Sequence, residues 1–153
     1  MIAASSEGMS EEEMKKLGAS AQLTKAETDD KLGRSMLKTT WAGAIDVVGG
    51  NTLTTLLKGC KLYGNVTTCG NIGSGELSMT VYPFILRAVS LLGISSQNCP
   101  RPLREELWSL LSNQWRIDFS DHLIHETDLE GLDSYIQLML TKKSRGRVVV
   151  KLG

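Results

Sequence analysis

The chain is poor in the residues from which compact catalytic and metal sites are usually built. Its 153 residues include two histidines and three cysteines, Cys60, Cys69 and Cys99, with no CxxC spacing. An odd cysteine count without that spacing fits a reduced, cytoplasmic protein better than a disulfide framework. Charge of one sign is also missing, because 17 basic side chains balance 17 acidic ones. That balance argues against a general electrostatic grip on nucleic acid or on an anionic membrane. The longest apolar run, Val81 to Ile94, has 14 residues and contains Arg87, too short to cross a bilayer. Met1 to Ala4 lacks the basic start and apolar middle of a signal peptide. Against these absences stand 41% hydrophobic residues and 15 glycines, the composition of one ordinary globular α/β or α+β domain.

Glycines and hydrophobic periodicity organise the chain. Ile2-Ala3-Ala4 reads as a strand end. Ser10-x-x-Glu13 has capping-box spacing, with acids in the first turn, Lys15 and Lys16 near the end and Gly18 as a stop. Residues 26–40 read as a polar, solvated helix. Ala44 to Val48 is a β-branched strand ended by Gly49-Gly50, and Asn51 is placed to cap a helix. In that helix Leu53, Leu56, Leu57 and Cys60 recur at helical spacing, and a second strand, Asn65 to Cys69, follows. Strand, helix and strand within some 25 residues predict a parallel βαβ unit. The glycines closing both strands are turns, or mark the carboxyl-end crevice where ligands of open α/β sheets sit.

Further along, Pro83 opens a helix that leads into a strand, Val89 to Ile94. Pro102 opens an amphipathic helix with Leu103, Leu107, Leu110 and Leu111 on one stripe. A helix over residues 129–140 is expected to face Leu132, Ile136, Met139 and Leu140 inward, before a last strand, Val148 to Leu152.

Most templates for chemistry fail. His122 and His125 are three apart but lack a third ligand at metal spacing, so no metal site is expected. GxSxG, HExxH and Walker patterns are absent. Cys69 closes a strand with no histidine placed to activate it, and reads as a small packed thiol. The loop Gly70-Asn71-Ile72-Gly73-Ser74-Gly75 has the pattern GxxGxG rather than GxGxxG. It is either a flexible connection or a place where a flat ligand approaches backbone amides. The basic tail, Lys142, Lys143, Arg145, Arg147 and Lys151, is a solvated end or a phosphate site.

The runs WAGAIDVVGG (Trp41 to Gly50), TVYPFILRAVSLLGISS (Thr80 to Ser96) and RGRVVVKL (Arg145 to Leu152) resemble the zinc-independent medium-chain dehydrogenase/reductases. The similarity is greatest to the quinone-oxidoreductase-like branch that includes NADPH-dependent acryloyl-CoA reductases. MKKLGAS (Met14 to Ser20) and Cys69-Gly70 fall in order between these runs. The resemblance implies an α/β fold: an incomplete Rossmann-type parallel sheet followed by a C-terminal segment of a GroES-like catalytic domain. It divides the chain into residues 1–98, the partial dinucleotide-binding domain, and residues 99–153, helices and a strand returning to the catalytic domain. The family's first Rossmann strand and its glycine-rich pyrophosphate turn are expected upstream of Met1, so the chain resembles a C-terminal portion.

By the same resemblance the cofactor contacts fall at Ser5 and Ser6, Val48 and Gly49, Cys69, Gly70 and Asn71, and Ile94 and Ser95, with Arg147 as a phosphate candidate. Serines where an acid would hold the ribose 2′-OH favour NADPH. Glu7 and Gly8 depart from a basic residue common in relatives, and Ser95 from an acid. The substrate implied is a small molecule with an activated double bond, or a quinone, and a homodimer would pair through the last Rossmann strand. Loss of a central strand removes on the order of 10 kcal/mol of apolar burial, so the chain alone is expected to bind cofactor poorly and turn over little. Two other readings remain: a non-catalytic truncated product, and a small nucleotide- or acyl-CoA-binding module using Gly70–Gly75 and the basic tail.

Overall fold

The computed structural model describes residues 2–4, 10–116, 123–141 and 143–152. The chain divides into two compact units, Met1–Cys99 and Pro100–Gly153. Among the described residues every strand pairing is parallel, and the βαβ spacing predicts this for the strands on either side of residues 50–58.

The first unit begins with strand β1 (Ile2–Ala4), helix α1 (Glu11–Lys16) and strand β2 (Ala21–Leu23), which pairs with β1. The Ser10 hydroxyl accepts the Glu13 amide at 3.2 Å while the Glu13 carboxylate accepts the Ser10 amide at 2.7 Å. This reciprocal cap, with Lys15 and Lys16 in the last turn, lets a helix of 6 residues persist. β2 escapes the sequence reading because three residues of mixed polarity show no period. The polar helix expected over residues 26–40 does not form. Glu27 instead accepts the amide and hydroxyl of Thr24, both at 2.8 Å, closing a single turn. The stretch has no apolar stripe to hold a longer helix against the core.

A three-stranded sheet follows, built from β3 (Trp41–Asp46), β4 (Cys60–Thr68) and β5 (Ser90–Gly93) in that order. Helix α2 (Gly50–Lys58) joins the first pair and α3 (Tyr82–Arg87) the second. Ala44 lies opposite Val66, and Val66 opposite Leu91. On that face Leu53, Leu57, Cys60, Val66 and Val89 form the core, with Trp41, Ala44, Phe84 and Leu91 packed around it. Leu57 and Val66 are fully buried, each worth about 1.5–3 kcal/mol of apolar transfer. On the other face Ile45 is 82% exposed and Leu92 46%. Among the described residues no strand joins the sheet of β1 and β2 to that of β3, β4 and β5.

Asn51 does not cap α2. The cap is Gly49, and the Asn51 side chain donates to Asp29 Oδ1 at 2.6 Å and to the Asp30 carbonyl at 2.9 Å. Long polar side chains then tie loops to this core. Arg87 donates to the carbonyls of Leu37 and Lys58 at 2.8 Å and of Cys60 at 3.2 Å. Lys58 meets Asp30 at 3.4 Å with both side chains almost wholly buried.

The second unit holds α4 (Arg101–Ser112), β6 (Ile124–Thr127), α5 (Leu132–Leu140) and β7 (Arg147–Val150), with β6 paired to β7. No residue of α4 or α5 is buried. The inward stripes expected of these helices are therefore not covered: Leu103, Leu107 and Leu111 are exposed on α4, as are Ile136, Met139 and Leu140 on α5.

The Lys58–Asp30 pair makes a stability prediction. Lys58→Met leaves a buried carboxylate without its cation and is expected to cost about 3–5 kcal/mol in urea unfolding. The Leu32 amide, then Lys58, holds the Asp30 carboxyl below its ordinary value, against the opposing push of burial. A carboxyl lowered on folding contributes stability above its unfolded pKa and loses it as pH falls through the folded one. The urea midpoint should therefore drop below about pH 4, and Asp30→Asn should flatten that part of the pH profile.

Candidate functional site

Because β3, β4 and β5 run parallel, their carboxyl ends open on one edge, and three loops leave the sheet there. The turn after β3 is Val47 to Gly49. Its shape is set by Asp46, the last residue of the strand and 2% exposed. The carboxylate accepts the Val48 amide at 3.2 Å and the Gly49 amide at 3.0 and 3.3 Å, through its two oxygens. It also accepts the Thr68 hydroxyl at 3.2 Å, which links the end of β3 to the end of β4. Gly49 has φ 73° and ψ −163°, a region open essentially to glycine alone.

The loop after β4 folds back over this turn. The Cys69 amide donates to the Asp46 carbonyl at 3.0 Å. Ile72 donates to the Val47 carbonyl at 3.3 Å, and Gly73 and Ser74 to that of Val48 at 2.8 and 3.3 Å. Three amides of the GxxGxG loop are thus committed to the neighbouring turn rather than presented to a ligand. A Cβ on Gly70 would stand 2.7 Å from the Val47 carbonyl oxygen, so this approach requires glycine. After β5, the Ile94 amide donates to the Thr68 carbonyl at 2.9 Å, drawing the third loop against the second.

The first unit therefore brings Val48 and Gly49, Cys69, Gly70 and Asn71, and Ile94 and Ser95 to one edge of one sheet. Ser5 and Ser6, with Glu7 and Gly8, lie outside the described residues, as does His122. Arg147 begins β7 in the second unit, where Nη1 donates to the Gly146 carbonyl at 3.0 Å. His125 lies on β6, its ring 6.1 Å from that of Tyr135. Among the described residues no three His, Cys, Asp or Glu side chains come together to hold a metal ion, and no helix is long and apolar enough to cross a membrane. Cys60 is buried, and burial pushes its thiol above the ordinary range despite the Lys61 amide and the Arg87 charge. Cys69 is exposed at the rim.

Asp46 was missed by sequence reasoning. The one signal for it was an acid inside an apolar strand that ends in Gly-Gly.

The three loops carry no charged side chain, and the one carboxylate at this edge, Asp46, is buried beneath them. Val48 is 36% exposed and Ile94 54%, and no Lys, Arg, Asp or Glu occurs in residues 47–50, 69–75 or 94–96. A parallel α/β sheet with loops gathered at its carboxyl ends is a Rossmann-type arrangement, in which ligands sit beyond those ends. No family model matches the chain. It is 39% identical over 140 residues to the putative quinone oxidoreductase YhfP of Bacillus subtilis, covering 91% of this chain and 42% of the relative. The crystal structure of that protein with NAD bound matches at TM-score 0.91 and 36% identity, over 99% of this chain and 46% of the other. The probable acrylyl-CoA reductase AcuI of Escherichia coli is 33% identical over 152 residues, 99% of this chain and 46% of the relative. The yhdH oxidoreductase of Salmonella enterica, solved with NADP, matches at TM-score 0.90 and 32% identity, with the same coverage of 99% and 46%. The chain's homologues thus include a putative quinone oxidoreductase and a probable acrylyl-CoA reductase, with structural neighbours in the medium-chain dehydrogenase/reductase family. The chain spans less than half the length of these relatives.

The Gly49 turn yields a paired test. Gly49→Ala forces a side chain into a glycine-only conformation and onto the Ser74 carbonyl oxygen. It should lower unfolding stability by about 1–3 kcal/mol. Gly93→Ala meets no atom within 4 Å and should stay within about 0.5 kcal/mol of the parent in the same urea titration.

Proposed function

We propose that this rim is the nicotinamide-side half of an NADPH site. In this reading the chain is the cofactor-facing part of an oxidoreductase that reduces an activated double bond, of the acryloyl-CoA or quinone/enone kind. The observation that carries the proposal is the gathering of three strand-end loops, none with an exposed charged side chain, at one edge of the sheet. Relatives crystallised with NAD and with NADP support it. Bound NADPH supplies hydride from its nicotinamide C4 to the electrophilic carbon.

The residues here do the work of seating. Val48 and Ile94 offer exposed apolar surface for a planar ring, and the Asn71 side chain offers both a donor and an acceptor for a carboxamide. Without a cation on the rim, the diphosphate is held by other residues. Arg147 is the candidate in this chain for a phosphate, and Ser5 and Ser6 for the adenosine ribose, where the absence of an acid favours NADPH. Residues 1–98 act as the dinucleotide-binding part and 99–153 as the segment that returns to a GroES-like catalytic domain. β5 pairs only with β4 among the described residues, so its outer edge is the surface for a homodimer. A sizing column should then return a dimer, and a clean monomer counts against it.

The rival reading, an acyl-CoA module centred on Gly70–Gly75, is disfavoured by the commitment of the Ile72, Gly73 and Ser74 amides. Titrating the chain with NADPH, NADH and a short acyl-CoA separates the two. Saturable NADPH binding, weaker for NADH, supports the proposal. Saturable acyl-CoA binding without NADPH binding favours the module, and silence from all three ligands sinks both. Maleimide labelling mapped by peptide mass should modify Cys69 ahead of Cys60, and NADPH should slow labelling at Cys69.

A further inference from the structure

Asp46 is a carboxylate buried to 2% exposure, and among the described residues it makes no ion pair. Burying a charge is expensive, and the expense falls only when several well-aimed donors replace water. Here the donors are three, and none is charged: the Val48 amide, the Gly49 amide and the Thr68 hydroxyl. Two of them belong to the turn after β3 and the third to the end of β4. Two features turn this cluster from a local cap into a latch between loops.

First, the same residue works through its backbone as well. Its carbonyl accepts the Cys69 amide at 3.0 Å and the Cys69 Sγ at 3.6 Å. Asp46 therefore holds one loop by its side chain and the next by both its side chain and its main chain. Second, the Gly49 conformation that it pins is otherwise unfavourable even for glycine's neighbours in sequence space, since no other residue adopts it without strain. With Gly49 pinned, the carbonyls of Val47 and Val48 point to where Ile72, Gly73 and Ser74 donate.

From this geometry we infer that Asp46 is a positioning residue of the rim. Its carboxylate locks the Val48–Gly49 turn to the end of β4, and so sets the spacing between Val48 and Cys69-Gly70-Asn71 at which a ring would be held. Asp46 itself touches no ligand in this account. The inference rests on the reading of the rim as a cofactor site for its consequence on binding, but the latch can be observed without any ligand.

The test uses the full chain and four variants. Asp46→Asn keeps the shape but puts an N–H₂ group against N–H donors. Thr68→Val removes one hydrogen bond to the carboxylate, and Thr68→Ser restores it. Leu57→Ala destabilises the core away from the loops and serves as the control. Hydrogen exchange of the Gly49 amide is expected to quicken by about tenfold or more in Asp46→Asn and by less in Thr68→Val. It should return to the parent rate in Thr68→Ser. NADPH affinity should follow the same order, with a loss of about tenfold in Asp46→Asn and none in the folded fraction of Leu57→Ala. If the parent chain binds no NADPH, the cofactor reading has failed, and the exchange rates alone then judge the latch. Gly49 exchange as slow in Asp46→Asn and Thr68→Val as in the parent would overturn the inference. So would a Kd that rises equally in Leu57→Ala, because that is what a general loss of stability produces.

Discussion

The packing of α2 across β4 is the constraint from which the rest of the first unit follows. Leu53 and Leu57 on the helix meet Cys60 and Val66 on the strand, with Val89 closing the end. Such a contact fixes register, because a slip of one residue in β4 would turn Val66 out of the core. With register fixed, Ala44, Val66 and Leu91 align across three strands. Their carboxyl ends then finish at a common edge, and the loops that leave them have no choice but to meet. The rim is a by-product of core packing before it is a feature of chemistry.

Buried polar groups supply what the apolar core cannot, which is the position of loops. Arg87, Lys58 with Asp30, and Asp46 each reach from an element to an irregular segment. Among the described residues no buried side-chain nitrogen or oxygen lacks a partner. Satisfying every such group matters because the penalty for an unpaired one exceeds the net gain from a paired one. The division of labour is spatial as well: Arg87 and Lys58 act near the end of α2, while Asp46 acts at the rim.

Elements with a period were legible in the sequence, and those held by single long-range bonds were not. The Ser10–Glu13 cap, α2 and the parallel pairing of β3 with β4 follow from spacing, and all form. Asn51 misled because a capping residue two positions into a helix looks the same as one at its start. Its amide is instead used by Asp29 and Asp30, 22 and 21 residues away. β2 and β6 are too short to show alternation. For the candidate site, the glycines at strand ends mark the carboxyl edge where the three loops gather, whereas Asp46 reads as one polar interruption in a strand. Nothing local distinguishes an acid that faces solvent from one that faces three donors.

The apolar surface left bare in both units bears on how far function can reside in this chain. Parallel sheets are covered on both faces in almost every protein that contains them, yet Ile45 on the second face is 82% exposed. The stripes of α4 and α5 are uncovered too. Relatives more than twice as long provide a simple source for the cover, since the chain matches only 42–46% of them. Charge leads to the same place from the other direction. The proposed cofactor, NADPH, brings three phosphate groups, and a rim without one cation can seat a ring but cannot balance that charge. Under the proposed reading, a site divided in this way would gain its selectivity from the ring half and most of its affinity from the phosphate half. On that reading, the first unit supplies the half that decides where a ring would sit, not how tightly the whole nucleotide is held.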